Sequence, residues 1–209
     1  MGKIEELKKS KIVAVIRGAR QDQILPIAHA LLAGGISTFE ITVETPKVCS
    51  LIEKVKAEFG NRAIVGAGTV LDPETARAVI MSGAEFIFSP IVNAETIKLA
   101  KRYGVLSIPG ALTPTEILTA YENGGDIIKV FPADVMGVSY FKSLQGPLPQ
   151  IPMMPTGGID VNNIRDYLKA GAVAAGVGGS LVNAKRLNSD EDYLELTEKA
   201  KEFSELINF

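Results

Sequence analysis

The feature that most narrows the fold is a repeat of pattern rather than of sequence. Short apolar runs alternate with helical stretches eight times along 209 residues. The apolar runs are residues 12–17, 38–43, 63–70, 86–90, 106–110, 126–131, 153–156 and 174–177. Most carry no in–out alternation of polar and apolar residues, so each reads as a strand buried on both faces. The intervening stretches 22–33, 46–59, 72–82, 94–102, 113–122, 138–144 and 161–169 have helical periodicity, and 190–207 forms a last long helix. Helix starts are marked by Asp72-Pro73-Glu74 and by Thr113-Pro114-Thr115-Glu116, a cap with proline at the first helical position and a capping-box glutamate. Gly34-Gly35, Gly60, Gly83, Gly104 and Gly171 mark the ends. Residues 178–180 are expected to open a further short helix, and residues 3–10 to form a first helix suited to closing one end of a barrel.

Strict strand–helix alternation demands a parallel sheet. Eight such units without a linker predict an α/β protein of the (β/α)8 TIM-barrel type, one domain over residues 1–209 with a short N-terminal helix. An open doubly wound sheet would want a glycine-rich fingerprint after the first strand, and Ile16-Arg17-Gly18-Ala19-Arg20 is not one.

Composition excludes several function classes. The net charge is −2, and Lys8, Lys9 and Lys11 form the one basic cluster, so nucleic acid is not an expected partner. The longest uncharged run, residues 170–184, is short and glycine-rich, so no membrane association is expected. Cys49 stands alone and reads as a packing residue; His29 reads as a helix-face histidine. No Asp, Glu and His cluster has ligand spacing, so no metal is expected. The first residues lack the apolar core of a secretion signal, and the expected compartment is the cytoplasm.

Chemistry concentrates at the C-terminal ends of the strands, where barrel enzymes carry their sites. Arg17, Glu40, Thr42, Thr69, Ser89, Lys129 and Thr156 fall there. Lys129 lies between Ile128 and Val130 in a run that reads as buried, where desolvation lowers an amine's pKa and makes it a nucleophile toward carbonyl carbon. Glu40, between Phe39 and Ile41, is a candidate general acid–base or an ion-pair partner of Arg17 or Lys129. Thr156-Gly157-Gly158 and Gly178-Gly179-Ser180 follow the seventh and eighth strands, where backbone amides commonly hold phosphate.

Glu40-Ile41-Thr42, Gly66-Ala67-Gly68-Thr69-Val70, Ser89-Pro90, Ile108-Pro109-Gly110, Lys129-Val130-Phe131-Pro132-Ala133, Pro155-Thr156-Gly157-Gly158-Ile159 and Gly176-Val177-Gly178-Gly179-Ser180 occur in that order. On these motifs the chain resembles the 2-keto-3-deoxy-6-phosphogluconate (KDPG) aldolase family, also called KDPG/KHG aldolases. The resemblance implies a cofactor-free, metal-independent class I aldolase, an aldehyde-lyase assembled as a homotrimer. Its substrate would be a phosphorylated keto acid, cleaved to pyruvate and glyceraldehyde 3-phosphate. Rival substrates are the galactonate epimer and 4-hydroxy-2-oxoglutarate; a phosphosugar isomerase or epimerase is a more distant alternative.

By the same resemblance Lys129 is the Schiff-base lysine and Glu40 the general acid–base. Thr69 holds the pyruvate carboxylate, Pro90 and Phe131 wall the pocket, and Thr156, Gly157, Gly158, Gly179 and Ser180 take the hydroxyl and phosphate end. Two positions depart from the family pattern. Several members carry arginine where this chain has Glu44, so Arg17 is expected to meet the carboxylate instead while Glu44 points to solvent. Ile91 stands where relatives often have glycine.

Overall fold

The computed structural model describes residues 2–207, so Met1, Asn208 and Phe209 of the expected 1–209 domain lie outside the described residues. In chain order the elements are α1 (Lys3–Ser10), β1 (Ile12–Ile16), α2 (Ile24–Ala33), β2 (Thr38–Thr42), α3 (Val48–Phe59), β3 (Ile64–Gly68), α4 (Pro73–Met81), β4 (Phe86–Phe88), α5 (Ala94–Arg102), β5 (Leu106–Ile108), β6 (Gly110–Ala111), α6 (Pro114–Glu122), β7 (Ile128–Val130), α7 (Ala133–Gln145), β8 (Met153–Pro155), α8 (Ile164–Lys169), β9 (Ala175–Val177) and α9 (Asp190–Leu206). The fold is α/β, with parallel strands curled into a half-barrel.

Six strands form one sheet in the order β5-β4-β3-β2-β1-β9, and β6-β7-β8 form a second. The two are joined covalently across Pro109 and by a parallel bridge between Thr156 and Gly176. The expected strand 106–110 is therefore divided. Proline lacks the N–H that would continue the ladder. The carbonyl of Ile108 still accepts from the Ser89 N–H of the β4 side, and the carbonyl of Pro109 accepts from the Lys129 N–H of β7. Pro109 thus turns the chain from one sheet toward the other.

Two apolar clusters hold the elements together. The larger lies between strands and helices and takes Ile12, Ala14 and Ile16 from β1. The smaller takes Val13, Ile64, Phe86, Phe88, Ile108, Ile127, Met154 and Ala174 from strands and strand ends of both sheets, with Leu7 of α1 packed among them. Alternate residues of β1 thus serve opposite faces, as a strand buried on both sides requires. Leu7 is completely buried, and α1 covers one end of this inner cluster, as its sequence suggested.

The expected caps are present: the Asp72 side chain accepts from the Thr75 N–H, and Thr113 and Glu116 form a reciprocal capping box. Most boundaries shift by one to three residues, and two expectations differ more. The helix expected at 138–144 begins at Ala133 and bends at Gly137, whose φ of 75° lies outside helical values. Residues 178–180 form a turn rather than a helix; a 3-10 turn follows at Ala184–Arg186. No helix of the described residues is long and apolar enough to cross a membrane.

Candidate active site

Adjacent strands bring the polar residues together. Parallel register sets Glu40 on β2 beside Val15 on β1 and Gly66 on β3, and Lys129 on β7 beside Gly110 on β6 and Met154 on β8. A cavity of about 420 Å³ opens at the C-terminal ends of these strands. Arg17, Glu40, Thr69, Pro90, Lys129, Phe131, Thr156, Gly157, Gly158, Gly179 and Ser180, the residues expected to act on or bind the substrate, line it. Thr42 and Ser89 do not. Thr42 is buried with its hydroxyl against that of Thr45, and the Ser89 hydroxyl accepts from the Ile91 N–H.

Lys129 is 6% exposed, with its ammonium nitrogen 4.4 Å from the centre of the Phe88 ring and 4.5 Å from that of Phe131. Burial lowers its pKa; the charge of Glu40 works against that shift without reversing it. Glu40 is 1% exposed, and burial pushes its carboxyl up to about 7 against the opposing pull of Lys129 and Arg17. None of the ion pairs among the described residues joins Glu40 to either of those cations, and its Oε2 has no hydrogen-bond partner. A buried carboxyl with an unused oxygen beside a buried amine is poised to exchange protons with whatever enters the cavity.

Glycines make room for these side chains. A Cβ on Gly68 would fall 1.5 Å from Glu40 Oε1, and one on Gly176 would fall 2.4 Å from Thr156 Oγ1. The Thr156 hydroxyl is buried and has no hydrogen-bond partner among the described residues. Thr69, next after Gly68, has φ 59°, a left-handed conformation that a β-branched residue adopts only under local constraint. Its hydroxyl accepts from Arg17 Nη2 at 3.2 Å.

At the other end of the cavity, Gly157 and Gly158 have φ of 95° and 65°, and the backbone passes so close to Asp134 that a Cβ on Gly158 would lie 2.3 Å from its Cβ. The Ser180 hydroxyl donates to the Ile159 carbonyl and ties the two glycine turns together, so its proton is already committed. Val15, Ile159, Asp160 and Gly178 also line the cavity; Gly178 was singled out with its glycine turn, and the other three were given no role from the sequence. Val15 is the strand neighbour of Glu40, which only the register reveals, and Asp160 follows the Gly157-Gly158 turn with no motif to flag it.

Glu44 departs from expectation. It is exposed, but its carboxylate does not simply face solvent: Arg17 Nη1 donates to its Oε1 at 2.9 Å. Ile91 is exposed, and nothing in the structure explains it. His29 lies on α2, paired with Glu58 and packed on Phe59, outside the cavity. Among the described residues no group of three or more His, Cys, Asp or Glu side chains is placed to hold a metal ion.

A family model described as "Aldolase: KDPG and KHG aldolase" matches residues 4–198. The 2-dehydro-3-deoxy-6-phosphogalactonate aldolase of Escherichia coli (strain K12) is 34% identical over 177 residues, 84% of this chain and 86% of that protein. The 2-dehydro-3-deoxy-phosphogluconate aldolase of Haemophilus influenzae is 37% identical over 207 residues, 98% of this chain and 96% of that protein. Among solved structures, the KDPG aldolase of Legionella pneumophila with pyruvate captured at low pH as a covalent carbinolamine intermediate superposes with a TM-score of 0.88 at 28% identity, covering 96% of this chain and 97% of that one. By sequence over nearly its whole length, the chain belongs to the KDPG and KHG aldolase family.

Proposed function

We propose that this chain is a class I aldolase that cleaves KDPG to pyruvate and glyceraldehyde 3-phosphate, with Lys129 as the Schiff-base nucleophile and Glu40 as the general acid–base. The observation that carries the reading is the pairing of a buried lysine, held between Phe88 and Phe131, with a buried carboxyl that has a free oxygen in the same cavity. Lysine burial favours the neutral amine, which attacks the C2 ketone. Loss of water leaves an iminium, an electron sink. Glu40 takes the C4 hydroxyl proton, the C3–C4 bond breaks, and the aldehyde leaves. The enamine is protonated at C3, and water releases pyruvate from Lys129. A carboxyl whose pKa lies at about 7 gives and takes protons with equal ease at neutral pH.

The remaining roles are those the family resemblance implies, and their residues all line the one cavity. Arg17 and Thr69, hydrogen-bonded to each other, receive the substrate carboxylate. Pro90 and Phe131 form walls. Thr156 meets a substrate hydroxyl, and the amides of Gly157, Gly158, Gly179 and Ser180 take the phosphate. The two sheets belong to one closed (β/α)8 barrel and one domain; the inner cluster shared by both sheets and the Thr156–Gly176 bridge support this closure. The active form is a homotrimer in the cytoplasm; for the assembly, a solved relative at 32% identity is a cage designed by fusing symmetric oligomeric domains, which supports a symmetric oligomer.

A second substrate, the galactonate epimer, is favoured by one observation: the relative from E. coli at 34% identity is named for it. Incubation with pyruvate and borohydride tests the chemistry. A covalent adduct on Lys129, absent in Lys129→Met, is the expected result, and no adduct in the wild type sinks the aldolase reading. Pyruvate release from the two epimers, and from 4-hydroxy-2-oxoglutarate, then ranks the substrates.

A further inference from the structure

Among the described residues Arg17 is the one cation lining the rim of the cavity, and two anchors define its pose. Its Nη2 donates to the Thr69 hydroxyl at 3.2 Å, and its Nη1 donates to Glu44 Oε1 at 2.9 Å. Each terminal nitrogen of the guanidinium therefore has one engaged N–H and one left over. Two contacts on different nitrogens fix the plane of the group, and the remaining N–H groups stay available to a third partner. The anchors come from the ends of neighbouring strands: Glu44 lies two residues beyond β2 and Thr69 one beyond β3.

The pair is solvent-exposed, 59% for the Arg17 side chain and 48% for Glu44. Exposed pairs contribute little to folding, so a stability role is a poor account of it. Burial pushes the Glu44 carboxyl up, but its own backbone N–H and Arg17 outweigh that and hold it below the usual range. The Glu44 carboxylate is therefore charged at neutral pH.

We propose that Glu44 is a positioning residue: it holds the Arg17 guanidinium beside Thr69, in the pose that receives the carboxylate of the keto acid, and so sets affinity at that end of the substrate. The inference rests on the aldolase reading above. An unanchored arginine on a flexible side chain loses rotamer freedom when it binds a carboxylate, and Glu44 removes that loss beforehand. Glu44 touches no reacting atom, so it acts on KM rather than on turnover.

The test is steady-state pyruvate release from KDPG by wild type, Glu44→Ala, Glu44→Gln, Arg17→Ala and the Arg17→Ala/Glu44→Ala double variant. Glu44→Ala is expected to raise KM roughly two- to fivefold, the scale of an exposed ion pair, with kcat held within about twofold. Glu44→Gln keeps an acceptor oxygen and recovers most of the lost affinity. Arg17→Ala raises KM about tenfold or more, and adding Glu44→Ala to it has no further effect. An unchanged or lower KM in Glu44→Ala, no recovery in Glu44→Gln, or full additivity in the double variant overturns the assignment. Borohydride trapping of pyruvate on the same wild-type preparation separates the two levels. If the wild type traps no pyruvate, the aldolase reading falls and this inference falls with it; if it traps pyruvate while the KM pattern fails, Glu44 alone loses its role.

Discussion

The floor and the rim of the cavity hold the same kinds of charged group under opposite conditions. On the floor, Lys129 and Glu40 are 6% and 1% exposed, both pKa values are displaced toward the neutral forms, and neither group joins the other in an ion pair. At the rim, Arg17 and Glu44 stand in solvent, and the carboxyl is shifted the other way, toward its charged form. Desolvation makes the difference. Where water is excluded, the charged forms are penalised and the groups become proton carriers and nucleophiles; where water remains, the charges persist and orient a ligand. The floor is suited to chemistry and the rim to recognition.

Substitutions at the floor should therefore act on turnover and those at the rim on affinity. The largest effect is expected from Lys129→Met, which should lower kcat roughly 10⁴-fold or more, the scale seen when a covalent nucleophile is removed. Next comes Glu40→Gln, expected to lower kcat about 10²–10⁴-fold while leaving pyruvate binding at the rim largely intact. If Glu40→Gln instead raised KM and spared kcat, the division between floor and rim would break.

The same carboxyl gives a measurable signature in stability. Unfolded, Glu40 titrates near 4.5; folded, it keeps its proton to about 7. The folded state binds more protons in that window, so the Glu40 contribution to stability falls as pH rises from 4.5 to 7 and then levels off. Glu40→Gln lacks that slope. Its unfolding free energy, measured in urea, should exceed that of wild type above pH 7 by on the order of 3 kcal/mol, with the gap closing below pH 4.5. A gap that stays constant with pH removes the burial account. The smallest effect in this series, that of Glu44→Ala on KM, sharpens the rim side of the contrast.

Much of this arrangement was legible beforehand. The helix caps at Asp72 and Thr113 form as their residues dictate, because a cap is a local hydrogen bond between groups a few positions apart. Lys129 and Glu40 were conspicuous because charged residues interrupted apolar strands. The start of α7 at Ala133 was not legible, since the bend at Gly137 interrupts the periodicity that would have extended the helix. The break in the fifth strand was hidden for a related reason. Pro109 sits inside an apolar run that looks continuous, and its missing N–H matters only where two sheets compete for the chain.

Glycine placement marks the boundary between the two kinds of knowledge. Gly68 and Gly176 look like ordinary small residues within or beside strands, yet each occupies a spot where a Cβ would collide with Glu40 or Thr156. No local pattern announces such a collision, because the partner lies on a different strand.

The sequence by itself determined the alternation of strands and helices, the family, and which residues are chemically out of place. Those are properties of periodicity, composition and local hydrogen bonding, which a chain carries without knowing its neighbours. Tertiary structure alone decided that Glu40 would have a free oxygen, that Lys129 would lie between two aromatic rings, and that Glu44, while exposed, would pair with Arg17. Those depend on register between strands far apart in sequence and on how much water each site retains, and both are set only when the sheets pack.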